Sequence, residues 1–262
     1  TLIDTGAGQQ LQERMLNGSL ANMNIILHTH LLPDHMNYDD LFPDAELWVP
    51  EAEAHVMEDW EHFFRYNDTI RFGHEAAKKI ALGMGYHPRK VDGVVSDGDK
   101  ISFGKTVLQA IHAPGHSIGH TLFWHEESGM LMGADIDLLP FGPWYGNPGS
   151  DIDEMIRSIE KIVEINPRLY ISSHLQEVVS DGLKERLTAY KNIIYQRDEL
   201  LMERIGSGIQ LGALVDQKPL FGVHPEPAAI NRMFEQIMIE KHLERLQKWG
   251  QIGRQEDVIF TT

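Results

Sequence analysis

ILHTHLLPDH, residues 26–35, closes an apolar run with three histidines and one aspartate inside eight residues. Imidazole and carboxylate gathered at the end of a buried strand are the ingredients of a metal site. Leu32 has no donor atom, yet it stands where a further ligand would be useful. The stretch therefore admits three readings: a working metal site, a site altered for one metal instead of two, or a relic.

Three further strand ends repeat the chemistry. HAPGHSIGH, residues 112–120, holds His112, His116 and His120. MGADID, residues 132–137, holds Asp135 and Asp137, and ISSH, residues 171–174, ends in His174. Each follows an apolar run, so each group sits where the sheet fixes the backbone and a loop shapes the space above it. A single histidine beside a strand is ordinarily structural or exposed. Four such ends in one chain point to a metal, and imidazole with carboxylate suits zinc, iron or manganese rather than calcium or magnesium.

Composition narrows the classes. The 262 residues suffice for one large domain, or a domain with a small appendage. Hydrophobic residues at 42% and charged residues at 24% are ordinary for a globular protein. No apolar run is long enough to cross a bilayer, so no membrane partner is expected. A formal net charge of -16 disfavours nucleic acid, whose phosphates need clustered Lys and Arg. With no cysteine, disulfides, thiolate zinc sites and cysteine nucleophiles are excluded. That fits a reducing compartment, and a cytoplasmic location is expected. The chain opens without methionine on a strand-like TLIDTG, which suggests that a segment precedes it.

Along the chain, strands and helices alternate. TLIDTGAG reads as a strand and glycine turn, and about Gln9 to Asn17 as a helix. Glu46 to Val49 reads as a strand, with a helix opened by Pro50. Residues from about Ala54 to Met84 read as mostly helical. Asp-Gly and Phe-Gly turns then separate short β runs, and residues 120–136 read as a hairpin turning at Glu127 to Gly129. DIDEMIRSIEKIVEIN is an amphipathic helix with Ile156, Ile159, Ile162 and Val163 on one face. RLYISSH is a strand, and residues 182–205 form a long helix. From about Pro227 to Gly250 a further helix carries Ile230, Met233, Phe234, Ile237, Leu243 and Leu246, followed by a two-stranded ribbon.

Five of these pieces, in order, resemble the metallo-β-lactamase superfamily. THLLPDH resembles its T-H-x-H-x-D-H signature, and TLIDTG the strand and turn before it. HAPGHSIGHT, LMGADI and ISSH resemble the segments with the later ligands. The likeness spans roughly Thr1 to Leu175. It implies an α/β fold, an αββα sandwich of two sheets flanked by helices, in which two strands usually precede the TLIDTG segment. Carried over by position, a first metal would use His30, residue 32 and His116. A second would use Asp34, His35 and His174, with Asp135 bridging. Leu32 removes one ligand of the first site. His28 could take that place only with a two-residue insertion, so it is expected to face away or to support a neighbour.

Three functions follow from the resemblance. The leading one is a hydrolase with one or two zinc ions per chain, iron or manganese being possible, in which a metal-activated water attacks an ester, thioester, lactone or amide. Asp34 would orient the nucleophile and shuttle its proton. The second is a mononuclear iron enzyme similar to the persulfide dioxygenases, using His30, His116 and Asp135. The third is a binding module or impaired member. His120 is expected to support a neighbour or contact substrate, or to be a solvated loop histidine. Phe141, Trp144 and Tyr145, with Pro140, are expected to wall the site against an acyl or aromatic group, or to pack on one another.

The tail sets off a second unit, residues 207–262, from a first of residues 1–206. MIEKHLERLQKWGQIGRQEDVIF, with His242, Leu243, Leu246 and Gly250, resembles a small winged-helix module found behind such domains. From Gly208 on there are six Lys plus Arg and seven Asp plus Glu. That is no phosphate-binding tail, so a structural appendage over the site rim or a dimer surface is expected. A homo-oligomer acting on a small-molecule substrate is the expected whole.

Overall fold

The computed structural model describes residues 1–6, 13–14, 17–20 and 23–262. The helix expected from about Gln9 to Asn17 lies mostly outside the described residues. Strands β1 (Leu2–Ile3), β2 (Ile25–Leu27), β3 (Glu46–Pro50) and β4 (Gly93–Val95) form one parallel sheet in that order. Strands β5 (Lys100–Phe103), β6 (Thr106–His112), β7 (Thr121–His125), β8 (Met130–Met132) and β9 (Leu169–Ile171) form the second sheet, also in sequence order. Its pairs are antiparallel except the last, β8 with β9.

Side-chain alternation makes four layers of this. Along β2, Leu27 faces the second sheet, where it packs with Val95, Ile101, Leu108, Ala110 and Phe123. Its neighbour Ile26 faces the opposite way, into a cluster with Leu47, Val49, Phe63 and Tyr86. A strand buried on both faces has no polar side to show, which is why β2 reads as a continuous apolar run. Likewise Phe123 of β7 points to the other sheet, and Leu122 to the helices outside. The result is an αββα sandwich.

The short helices α1 (Pro33–Met36), α2 (Trp60–Tyr66) and α3 (His74–Gly83) belong to the first half. The expected helical stretch around residues 54–84 is broken into pieces, with 3-10 turns at Glu51–Met57 and Thr69–Phe72. Asp68 (φ 55) and Gly73 (φ 86) take left-handed conformations that an α-helix cannot continue through. Pro50 ends β3 and is followed by the first of those 3-10 turns, so the α-helix expected from it is absent.

Helix α4 (Ile152–Ile165) covers the second sheet. Asp151 caps it by accepting from the Glu154 amide, and Ile152, Met155, Ile159 and Ile162 face inward. Helix α5 (Leu183–Ile205) packs beside it. The last segment contributes β10 (Ile209–Gln210), α6 (Leu211–Asp216), α7 (Ala228–Lys248), β11 (Ile252–Gln255) and β12 (Val258–Thr261). The expected ribbon is β11–β12, and β10 adds a third strand in the order β10-β12-β11. Across the turn at Gly206, Leu201 and Ile205 of α5 share one apolar cluster with Ile239, Leu243, Leu246, Ile252 and Ile259. Helix α7 also packs on α4.

Candidate metal centre

The four strand ends meet at one edge of the sandwich. Pro33 opens α1 immediately after Leu32, and the single turn presents Asp34 and His35. Gly6 lets the β1 turn pass against it: a Cβ there would lie 1.6 Å from the Asp34 carbonyl oxygen. Gly115, at φ +128, lets the His116 loop run over the start of α4, where a Cβ would lie 2.2 Å from the Met155 nitrogen. Ala134 holds a left-handed conformation (φ 44) just before Asp135, the kind of local strain that recurs where a side chain must be aimed.

Two donor groups result, sharing Asp135. His30, His116 and Asp135 form one, and Asp34, His35, Asp135 and His174 the other, with donor atoms within 4.8 Å of one another in each. His30 Nε2 lies 3.1 Å from His116 Nε2, and Asp135 Oδ2 lies 3.4 Å from the latter. On the other side Asp135 Oδ1 lies 3.1 Å from His35 Nε2, and Asp135 Oδ2 lies 3.2 Å from His174 Nε2. Asp34 Oδ2 stands 3.5 Å from His174 Nε2 and 3.8 Å from His35 Nε2.

Hydrogen bonds behind the rings set their tautomers. His116 Nδ1 donates to the Trp144 carbonyl, 3.0 Å. His35 Nδ1 donates to Asp4 Oδ2, 2.9 Å. Thr29 Oγ1 donates to Asp4 and so accepts from His30 Nδ1. Each Nε2 lone pair is thereby turned toward the common space, as metal-binding histidines require. His35 Nε2 and Asp135 Oδ1 are buried and face only each other, in an ion pair without a well-aligned hydrogen bond. Buried polar atoms are rarely left so, and a cation between them satisfies both. The donor set and its orphaned atoms fit a metal.

Electrostatics agree. Burial, reinforced by the charge on His35, holds His30 well below the usual histidine range, and burial pushes His116 down to about 3. Both are neutral and ready to coordinate. Burial opposes a proton on His35, but Asp135 and Asp4 outweigh it and raise the ring well above its ordinary value. A metal held by His35 would have to replace that proton, so binding there would release it. Burial works against Asp135 too, and the surrounding histidines still hold it well below the carboxylate range.

His28 does not turn to the cluster. It is buried between Asp4 (3.2 Å) and Asp39 (3.0 Å), so the structure uses it to hold Asp4, which in turn holds His35 and Thr29. His112 also stays apart, bonded through Nε2 to the Ile118 carbonyl. Asp137 accepts from Tyr190 and the Leu139 amide, and burial raises its carboxyl.

Beside the donors opens a cavity of about 570 Å³. Of the four residues expected at substrate, Phe141 and Trp144 line it. His120 and Tyr145 do not, so the substrate contact expected of them is corrected, while His120 takes the other part expected of it, supporting a neighbour. His120 is fully buried; its Nδ1 donates to Ala113 O and its Nε2 accepts from the Asp135 amide, so it positions the shared carboxylate. Tyr145 is fully buried behind the wall, its hydroxyl bonded to His242 and Arg197. Leu32 lines the cavity, as do Met84 and Phe234 from distant elements.

One contributor escapes sequence reading altogether. Glu53 is fully buried; one carboxylate oxygen accepts from the Leu31 amide and the other from the Gly119 amide, each at 2.7 Å. It ties the loop with His30 to the loop with His116 and His120. A glutamate among helix-forming residues carries no local sign of this, since both partners are distant in sequence.

The family model of the metallo-beta-lactamase superfamily matches residues 1–174. The probable metallo-hydrolase YqjP of Bacillus subtilis is 24% identical over 87% of this chain and 82% of its own length. The atrochrysone carboxyl ACP thioesterase of Aspergillus fumigatus is 23% identical over 96% of this chain and 73% of its own. A metallo-beta-lactamase family protein of Thermus thermophilus superposes with a TM-score of 0.74, at 21% identity, over 99% of this chain and 89% of that one.

Proposed function

The chain belongs to the metallo-β-lactamase superfamily, and on that premise we propose that it is a metal-dependent hydrolase of a small-molecule ester or thioester. One observation carries the reading: Asp135 stands between two donor groups, and its Oδ1 and His35 Nε2 are buried with no partner but each other. In this reading His30, His116 and Asp135 hold one metal, and Asp34, His35, His174 and Asp135 the other, zinc being the ion that suits the donors best. A bound zinc supplies the Lewis acid that activates water and polarises the acyl carbonyl. The chain's own residues do the rest. Asp34, whose side chain is 58% exposed, faces the cavity and takes the proton as the nucleophile forms. Trp144 and Phe141 place the acyl group and keep bulk water from that side. One relative's name, a probable metallo-hydrolase, supports hydrolysis, and the other's, an ACP thioesterase, supports thioester chemistry.

The test is turnover of a thioester and lactone panel without oxygen, by protein dialysed against chelator and then reloaded with zinc. Zinc-dependent hydrolysis, with Asp34→Asn lowering kcat by about 100-fold or more, is expected. No hydrolysis in that panel, together with oxygen consumption on a persulfide by a parallel sample reloaded with iron and assayed in air, would replace this reading by the iron dioxygenase.

A further inference from the structure

The cavity beside the donors has a chemical character of its own. Its walls are Leu32, Met84, Leu139, Phe141, Trp144 and Phe234. Leu32 therefore does more than vacate a ligand position: it adds an apolar surface next to the donors. The polar groups on the lining away from the donors are neutral amides, Asn37, Asn67 and Asn231, together with the carboxyl of Asp137. Asn37 Oδ1 is buried without a partner. None of the described residues lining the cavity is Lys or Arg. The guanidinium just behind the wall, Arg197, is committed elsewhere: it donates to the carbonyls of Phe141 and Pro143 and to the Tyr145 hydroxyl, and stacks 4.7 Å from the Phe141 ring.

A carboxylate carried into this space at the far end of an acyl chain would lose water and find no counter-charge there. It would also approach Asp137. An aliphatic or aromatic chain would instead cover the six apolar side chains.

We propose that the cavity takes the acyl part of an uncharged, apolar ester or thioester, and rejects acyl groups that end in a second carboxylate. This deepens the hydrolase reading and rests on it.

The experiment compares hexanoyl and adipoyl thioesters of N-acetylcysteamine, chains of equal length that differ by the terminal carboxylate, on the zinc-loaded full chain. The expected result is a kcat/KM at least about 100-fold higher for hexanoyl. In Asn231→Lys, which puts a cation on the rim, the gap should narrow by about tenfold or more. Equal rates, or faster adipoyl hydrolysis by the unaltered chain, would overturn the proposal. If neither is cleaved, the hydrolase reading fails by itself. Calorimetric binding of the two intact thioesters then decides the cavity: tighter hexanoyl binding upholds its apolar selectivity, and equal binding overturns it.

Discussion

At residue 32 a leucine side chain, 5% exposed, lines the cavity next to His116 and Asp135. Adding a donor there should strengthen metal binding by the three-donor group of His30, His116 and Asp135. Leu32→His is expected to raise the zinc retained through dialysis, by elemental analysis, toward two per chain; unchanged zinc would mean that position 32 is no vacant ligand place. Glu53 makes a separate prediction. Glu53→Ala strands two buried amides, each costing about 1–3 kcal/mol, whereas Glu53→Gln keeps one acceptor oxygen. Urea unfolding should show the alanine variant destabilised by about 3 kcal/mol and the glutamine variant by roughly half of that. Equal losses would mean that packing, rather than the two bonds, is what Glu53 supplies. Leu32 stands out in the sequence because its neighbours are donors. Glu53 does not, because its role exists only between loops.

Among the elements, α7 supports the site from outside the two sheets. His242 on α7 donates from Nδ1 to Asp198 on α5 and accepts from the Tyr145 hydroxyl, 2.6 Å each. Tyr145 adjoins Trp144, whose carbonyl holds His116. Arg245 of α7 adds bonds to Asp198 and to Asp153 of α4. The wall of the cavity, and one donor histidine, are thus fixed from helices beyond the two sheets. Burial, against the pull of Asp198, lowers the pKa of His242 below 6.5. A histidine depressed on folding binds its proton more readily when unfolded. Its stabilising effect is therefore complete above about pH 6.5 and is lost as pH falls below that, by up to about 1.4 kcal/mol per pH unit. Denaturant titrations at pH 7.5 and 5.5 should show a shallower loss in His242→Gln than in the unaltered chain. Identical slopes would mean that His242 takes no part in acid sensitivity.

For the molecule as a whole, metal binding is expected to be coupled to folding, because the donors converge only in the folded state. At a thousandfold excess of zinc over its dissociation constant the gain is about 4.1 kcal/mol, which is about 8 °C or more in Tm for a chain of this size. Calorimetry in chelator and in zinc checks this; no shift would sink both donor groups. The residue types and their order along the chain already determined that there are four donor-bearing strand ends and an α/β alternation, because periodicity and strand-end chemistry are local. The amphipathic α4 and the β11–β12 ribbon were legible for the same reason. What local pattern could not decide is which donors converge and which are spent elsewhere. His28 and His30 sit two residues apart on the same strand end, yet one clamps Asp4 and the other faces Asp135. His120 and Tyr145 look like site residues in sequence and lie behind it in space. Only the tertiary structure settles such cases, because a side chain's role is set by what packs against it, and here those partners come from segments up to 97 residues away.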